Sequence, residues 1–302
     1  MAVTASQVNF IKLGTGGDWE AQCLKDGTLK FGYRETPHDA CVAGDWARIQ
    51  KVWEEIRGDA GTAKRDANQI RTFYEADENS IFITFNGGLL YWCRPKGPVQ
   101  VLQDGRHRRN TLHGWHCTTT GGKKLTTDTL SGALLKVQMF RGTICQVKQT
   151  EYFLRKLNDE LSPEVGAAED AERAHILALI DLMRLLTWQD FELLVDLVFS
   201  SSGWRRVGVV GRTVKTVDLE LILPTTEERA FVQVKSQASQ KSFEEYRNRL
   251  LESPGYDRMF FVWHTGDVLP DETKSVRQVG PARLAKMVLD AGLSSWLREK
   301  VS

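Results

Sequence analysis

TVDLELILPTTEERAFVQVKSQAS, residues 216–239, holds the two short runs on which the fold of the C-terminal half turns. VDLEL (217–221) and VQVK (232–235) are rich in β-branched and apolar residues. Pro224 to Glu228 between them has the composition of a turn. Successive side chains of a strand alternate between faces, so Gln233 and Lys235 share one side of the sheet. Pairing the two runs as a hairpin brings Asp218 beside them.

The flanking sequence extends this hairpin into a domain. Thr187-Trp-Gln-Asp190 has the spacing of a helix capping box, with aspartate in place of the usual Glu or Gln. The helix it opens, WQDFELLVDLVFSSSG, ends at Gly203. WRRVGVV (204–210) and TVDLELIL (216–223) read as strands, as does ERAFVQVK (228–235). A helix from Ser242 to Glu252, the strand RMFFVWH (258–264) and two terminal helices, from Pro281 and from Leu293 to Val301, complete the order. The core reads α-β-β-β-α-β, a mixed sheet with helices on both faces.

Asp218, Gln233 and Lys235 are a chemically meaningful set. Phosphodiester hydrolysis near neutral pH uses a hard divalent cation held by oxygen ligands. Asp218 offers a charged oxygen, the Gln233 amide a neutral one, and the backbone carbonyl of Val234 a third. Lys235 is placed to orient an attacking water or to offset charge on the phosphorus. Alone, Asp218 and Lys235 would be read as an ordinary salt bridge in a half-buried sheet. Gln233 and the element order favour the nuclease reading.

FELLVDLVFSSSGW…VDLEL…VQVKSQAS resembles the Mrr-type branch of the PD-(D/E)xK restriction-endonuclease-like superfamily, over about residues 187 to 264. In that branch glutamine replaces the second acidic ligand, giving Asp…Gln-x-Lys. The resemblance implies Mg²⁺-dependent cleavage of double-stranded DNA, with Mn²⁺ as a substitute. It also implies a helix glutamate in the site, here Glu192 of DFELL. Many relatives carry a glycine-rich lead-in directly before the aspartate, whereas this chain has Gly208 and Gly211 followed by RTVKTV. Cutting both strands usually needs two active sites, so a homodimer is expected, at least on DNA.

The N-terminal half reads differently. VNFIKLG and TLKFGY are short β-type runs, and SIFITFNGGLLYWC has the Asn-Gly-Gly turn of a hairpin. Asp45 to Arg57 has helical spacing, while Ala133 to Val137 and Thr143 to Val147 read as further strands. Together these suggest an α+β domain built on a small, partly closed barrel. The expected organisation is a DNA-reading domain at 1–150, a helical linker at 151–186 and the nuclease domain at 187–302.

Charge is unevenly spread. Residues 1–150 carry 20 Lys and Arg against 15 Asp and Glu, and residues 94–148 alone hold 10 basic and 2 acidic side chains. Such density is a phosphate-binding footprint or simply a basic solvated surface. Aromatic residues are frequent in the same half, and an aromatic-walled pocket on a small barrel can stack a flipped base. The pattern is similar to the PUA-like group (EVE, YTH and SRA domains), which implies recognition of a modified base. The wall candidates are Trp19, Tyr33, Trp53 and Trp92. TAKRDANQIR (62–71) is read as a polar surface loop or helix start, with Lys64, Arg65, Asn68 and Arg71 available to DNA, and Arg106, Arg108 and Arg109 are further phosphate candidates.

His107, His113, His116 and Cys117 lie close in sequence, but no second Cys/His pair stands at a usual zinc spacing. Gly14, Gly16 and Gly17 lack a following Walker lysine or Rossmann unit, which argues against a nucleotide loop. Five scattered cysteines without a CxxC pair fit a reducing compartment. The first ten residues lack the features of a signal peptide, and a cytoplasmic protein is expected. The reading is therefore a Mg²⁺-dependent, modification-dependent DNA endonuclease of restriction type. The alternatives are a non-catalytic nucleic-acid-binding protein, and an RNA or DNA-repair nuclease on the same core.

Overall fold

The computed structural model describes residues 2–207, 217–252 and 255–302. The chain divides into two compact units, Met1–Ser162 and Pro163–Ser302.

The first unit runs β1 (Gln7–Ile11), α1 (Glu20–Asp26), β2 (Thr28–Phe31), α2 (His38–Ala43), α3 (Trp46–Arg57), α4 (Ala60–Glu75), β3 (Ser80–Asn86), β4 (Leu89–Val101), β5 (His107–His116), α5 (Gly132–Leu135), β6 (Ile144–Gln146) and α6 (Thr150–Leu157). The strands form one mixed sheet in the order β2-β5-β4-β3-β1-β6, curled into a half-barrel. The β3–β4 turn is the expected hairpin. Asn86 pairs with Leu89, and Gly87 and Gly88 hold φ of 56° and 76°, the positive values that a two-residue turn requires.

Strand alternation gives this sheet two cores. Ile11 and Phe82 pack with Ile49, Trp53, Ile70 and Phe73 of α3 and α4. Val8, Phe10, Ile81 and Ile83 point the other way, onto Leu134, Phe153 and Leu157. The expected strand Ala133–Val137 is helical instead, as α5 followed by a 3-10 turn over Lys136–Met139. Ser131 caps α5 by accepting the Leu134 N–H, and Leu134 is buried; a short apolar run does not by itself separate a strand from a buried helical turn.

The expected linker is divided between the units. α6 buries Phe153 and Leu157 in the first unit, whereas α7 (Pro163–Met183) buries Leu179, Ile180 and Met183 in the second. The small residues Gly166, Ala167 and Ala168 lie within α7, where alanine favours helix.

The second unit continues with α8 (Trp188–Ser201), β7 (Arg205–Arg206), β8 (Leu219–Leu223), β9 (Glu228–Gln237), α9 (Gln240–Glu252), β10 (Arg258–Thr265), β11 (Val276–Val279), α10 (Pro281–Asp290) and α11 (Ser294–Val301). The sheet order is β11-β10-β9-β8-β7. The first three run parallel, and β8 and β7 add antiparallel pairs. One face packs on α7, α8, α10 and α11, and the other on α9. The α-β-β-β-α-β order expected from the sequence is present from α8 to β10, and β11 is an added parallel edge. The remainder of WRRVGVV, with Gly208 and Gly211, lies outside the described residues. Among the described residues no helix is long and apolar enough to cross a membrane.

Candidate functional site

Two sites are built from the sequence candidates, one in each unit. In the second unit, Asp218 precedes β8. Leu219 pairs with Val232, and one further step of this antiparallel register sets Asp218 opposite Gln233. Asp218 Oδ2 accepts the Val234 backbone N–H at 2.7 Å and the Gln233 side-chain amide. Gln233 is 2% exposed, and its Oε1 is buried without a hydrogen-bond donor. A buried carbonyl oxygen left unpaired in this way costs free energy unless something positive approaches it.

α8 delivers Glu192 to the same place. Thr187 Oγ1 caps the helix by accepting the Asp190 N–H and donates to Asp190 Oδ2 at 2.8 Å, which fixes the first turn. Trp188, Phe191 and Glu192 of α8 then line a cleft of about 230 Å³ with Asp218, Val234 and Lys235. Burial raises the pKa of Asp218, opposed by the Val234 N–H and by Lys235. Burial likewise raises Glu192, and the charge of Asp218 pushes it further up. A half-buried carboxyl pushed up by the charge of a neighbouring carboxylate marks a site short of positive charge. The Lys235 ammonium stands 5.1 Å from the ring centre of Tyr246 on α9.

The donor set is all hard oxygen: two carboxylates, the Gln233 Oε1 and the Val234 carbonyl. It fits a divalent cation of the magnesium type. Among the described residues no three acidic, histidine or cysteine side chains converge on a metal position. A cation in the cleft would therefore draw its other oxygens from Gln233, the backbone and water.

In the first unit a pocket of about 730 Å³ is walled by Trp19, Tyr33 and Trp53. Tyr33 meets Trp53 edge to face at 4.8 Å and stacks on Phe31 at 4.5 Å, which fixes its ring in the wall. Gly14, with φ of 91°, lets Trp19 lie close, because a Cβ there would stand 3.0 Å from the indole. Arg106 covers Trp19 at 4.8 Å. In the wall sits Asp66, 6% exposed. Its Oδ1 accepts the Tyr33 hydroxyl at 2.9 Å, and its Oδ2 accepts Arg57 Nε at 2.7 Å. Burial, with Asp66 alongside, raises the Tyr33 hydroxyl pKa and keeps it a donor.

No protein-family model matches the chain, and no curated protein matches it. Two solved structures are similar. One is described as "MspJI Restriction Endonuclease in Complex with 27-mer Oligonucleotide", at 15% identity and a TM-score of 0.29, covering 92% of this chain and 74% of that one. The other is "DNA modification-dependent restriction endonuclease AspBHI", at 10% identity and a TM-score of 0.27, covering 91% and 79%. Likeness that loose carries no argument about fold or activity.

The remaining candidates separate. Trp92 is not in the pocket. It pairs with Ile83 and shares that residue's face of the sheet, where it packs on His116 at 4.9 Å and donates to the Thr118 carbonyl. Arg109 is not a surface cation. It is 5% exposed and donates to the carbonyls of Phe73, Ala76 and Gly97. On β5, His107, Arg109 and Thr111 are the buried alternate positions, so strand parity turns Arg109 inward. Arg108 bonds Gln100, and Arg106 pairs with Asp104 as well as covering Trp19. Lys64, Arg65, Asn68 and Arg71 lie exposed on α4, but Arg71 is paired with Glu75. His107 and His116 stand at opposite ends of β5.

Asp66 was missed in the sequence, yet it left a signal there. It falls within the helical stripe Ala63, Ala67, Ile70 and Phe73, and a carboxylate on a buried stripe needs a partner. Gly14 and Gly16 of LGTGGDW, unassigned in the sequence, line the pocket.

Proposed function

We propose that the protein is a modification-dependent DNA endonuclease of the restriction type, with a nuclease site in the second unit and a base-reading pocket in the first. The carrying observation is the convergence of Asp218, Glu192 and Lys235 on one cleft, with the buried Gln233 bonded to Asp218 and its carbonyl oxygen unpaired. It supports the Mrr-like PD-(D/E)xK reading of the sequence.

Bound Mg²⁺, for which Mn²⁺ substitutes, supplies the charge that offsets the negative phosphate. Asp218, Glu192, the Gln233 Oε1 and the Val234 carbonyl would hold it. The Val234 N–H and the Gln233 amide fix the Asp218 carboxylate in orientation before substrate arrives, so little reorganisation is needed at reaction. Lys235 donates its ammonium hydrogens toward the attacking water or the phosphate, while the face of Tyr246 limits where that ammonium rests.

The pocket supports a reader of PUA-like type acting on double-stranded DNA. Trp19 and Tyr33 offer ring surface to an extruded base, with the buried Trp53 behind them and Asp66 fixing the Tyr33 hydroxyl and Arg57 at the wall. A dimer on DNA and a cytoplasmic setting belong to the same reading. Purified protein with Mg²⁺ should cleave methylated, hydroxymethylated or glucosylated DNA from a panel and spare the unmodified copy, with Lys235→Ala inactive. Equal cleavage of all substrates removes the reader. No cleavage of any DNA, with binding that survives Asp218→Ala, points to a non-catalytic binding protein. RNA competing better than DNA points to an RNA nuclease.

A further inference from the structure

Beside the aromatic pocket runs a second cleft of about 580 Å³. One wall is the stripe Thr62, Arg65, Asn68 and Thr72, which the helical repeat sets along a single face of α4. The other is the segment from Phe140 to Gln146. The two clefts share Asp66, Arg141 and Gly142, so these residues form the ridge between them.

The ridge is held firmly. Gln69 Oε1 accepts the backbone N–H groups of both Thr143, at 2.6 Å, and Ile144, at 2.9 Å. On the other side of Arg141, Lys12 donates to the Phe140 carbonyl. Gly142 makes this approach possible, since a Cβ there would fall 2.7 Å from the Gln69 oxygen and 2.6 Å from the Phe140 ring. Arg141 is exposed, and among the described residues no carboxylate pairs with it. Of the two acids lining these clefts, Asp66 is already matched by Arg57 and Tyr33, and among the described residues Glu35 makes no ion pair with Arg141. A cation with a fixed backbone and an uncommitted head is preorganised for an anion.

The geometry points to a phosphodiester-binding groove: the strand that donates a base to the pocket runs along α4, with Arg141 gripping the phosphate beside that base and Arg65 a phosphate further along. The inference rests on the pocket reading given above. Extruding a base rotates its backbone toward the pocket rim, which is where Arg141 stands. Lys64 and Arg71 are outside this groove, so it narrows the four α4 candidates to Arg65 and Asn68 and adds Arg141.

The test is fluorescence anisotropy on the full chain, with short duplexes that do or do not carry one 5-hydroxymethylcytosine, across a salt series. Each phosphate contact contributes about one to the slope of log affinity against log salt. Arg141→Gln should lower that slope by about one and weaken binding several-fold at low salt, with an unchanged melting temperature. Arg141→Lys should keep the slope, and Trp19→Ala should weaken binding to the modified duplex without altering it. An unchanged slope in Arg141→Gln overturns the groove, as does wild-type binding that ignores salt. A reduced slope in Arg141→Gln, with equal wild-type affinity for both duplexes, keeps the groove and overturns the base pocket.

Discussion

At the scale of single residues, Asp218 is under electrostatic tension in the second unit. Its pKa, and that of Glu192, is raised in the folded chain by burial. A carboxyl whose folded pKa lies above its unfolded value holds its proton longer when folded. These groups therefore cost stability as pH rises through the raised values and cost none at lower pH. Asp218→Asn keeps an acceptor for the Val234 N–H and removes the charge. Without metal it should stabilise the protein at neutral pH, read as a higher melting temperature. Mg²⁺ should raise the melting temperature of the wild type and leave that of Asp218→Asn unmoved, because only a site that binds the ion gains from it. A metal response retained in the variant would place the cation elsewhere.

His107 gives the opposite dependence. It is 1% exposed, neither ring nitrogen has a partner, and burial pushes its pKa down to about 4 from the ordinary 6.5. The unfolded chain takes up the proton first, so stability should fall as pH drops from about 6.5 towards 4, by up to about 3 kcal/mol. Urea unfolding across that range, compared with His107→Leu, reads the effect; parallel pH profiles for the two proteins would refute it.

The elements show why some of this was legible in sequence and some was not. The period of two in VQVK was enough to put Gln233 and Lys235 on one face, and the hairpin register brought Asp218 opposite Gln233. Glu192 needed the family resemblance, since nothing local links a residue in α8 to a strand that follows much later. In RHRRN the sequence shows three arginines, and only the register of β5 against β2 and β4 decides that Arg109 points inward. Asp66 needs Tyr33 and Arg57 to make sense of it, and both come from other elements. Arg109→Ala should destabilise the protein by about 3 kcal/mol or more, because the Phe73, Ala76 and Gly97 carbonyls lose their buried donor. Arg108→Ala, at the outward position beside it, should cost far less in the same urea titration. Similar losses in the two variants would show that Arg109 is not the strut its contacts describe.

Across the whole molecule, two units have separate cores, one carrying an aromatic-walled pocket and the other a cleft lined by two carboxylates and a lysine. The α-β-β-β-α-β element order of the second unit came from the sequence. The boundary did not, because α7 is an alanine-rich helix whose apolar residues match the second unit's core only in three dimensions. The most direct measurement is a Mg²⁺ titration of duplex cleavage by the wild type, Lys235→Ala and Asp218→Asn, all with folding verified by circular dichroism. Cleavage that rises with Mg²⁺ in the wild type and is absent from both folded variants is the expected result. Cleavage retained by either folded variant, or a wild type that never cuts, would contradict a nuclease centred on Asp218, Gln233 and Lys235.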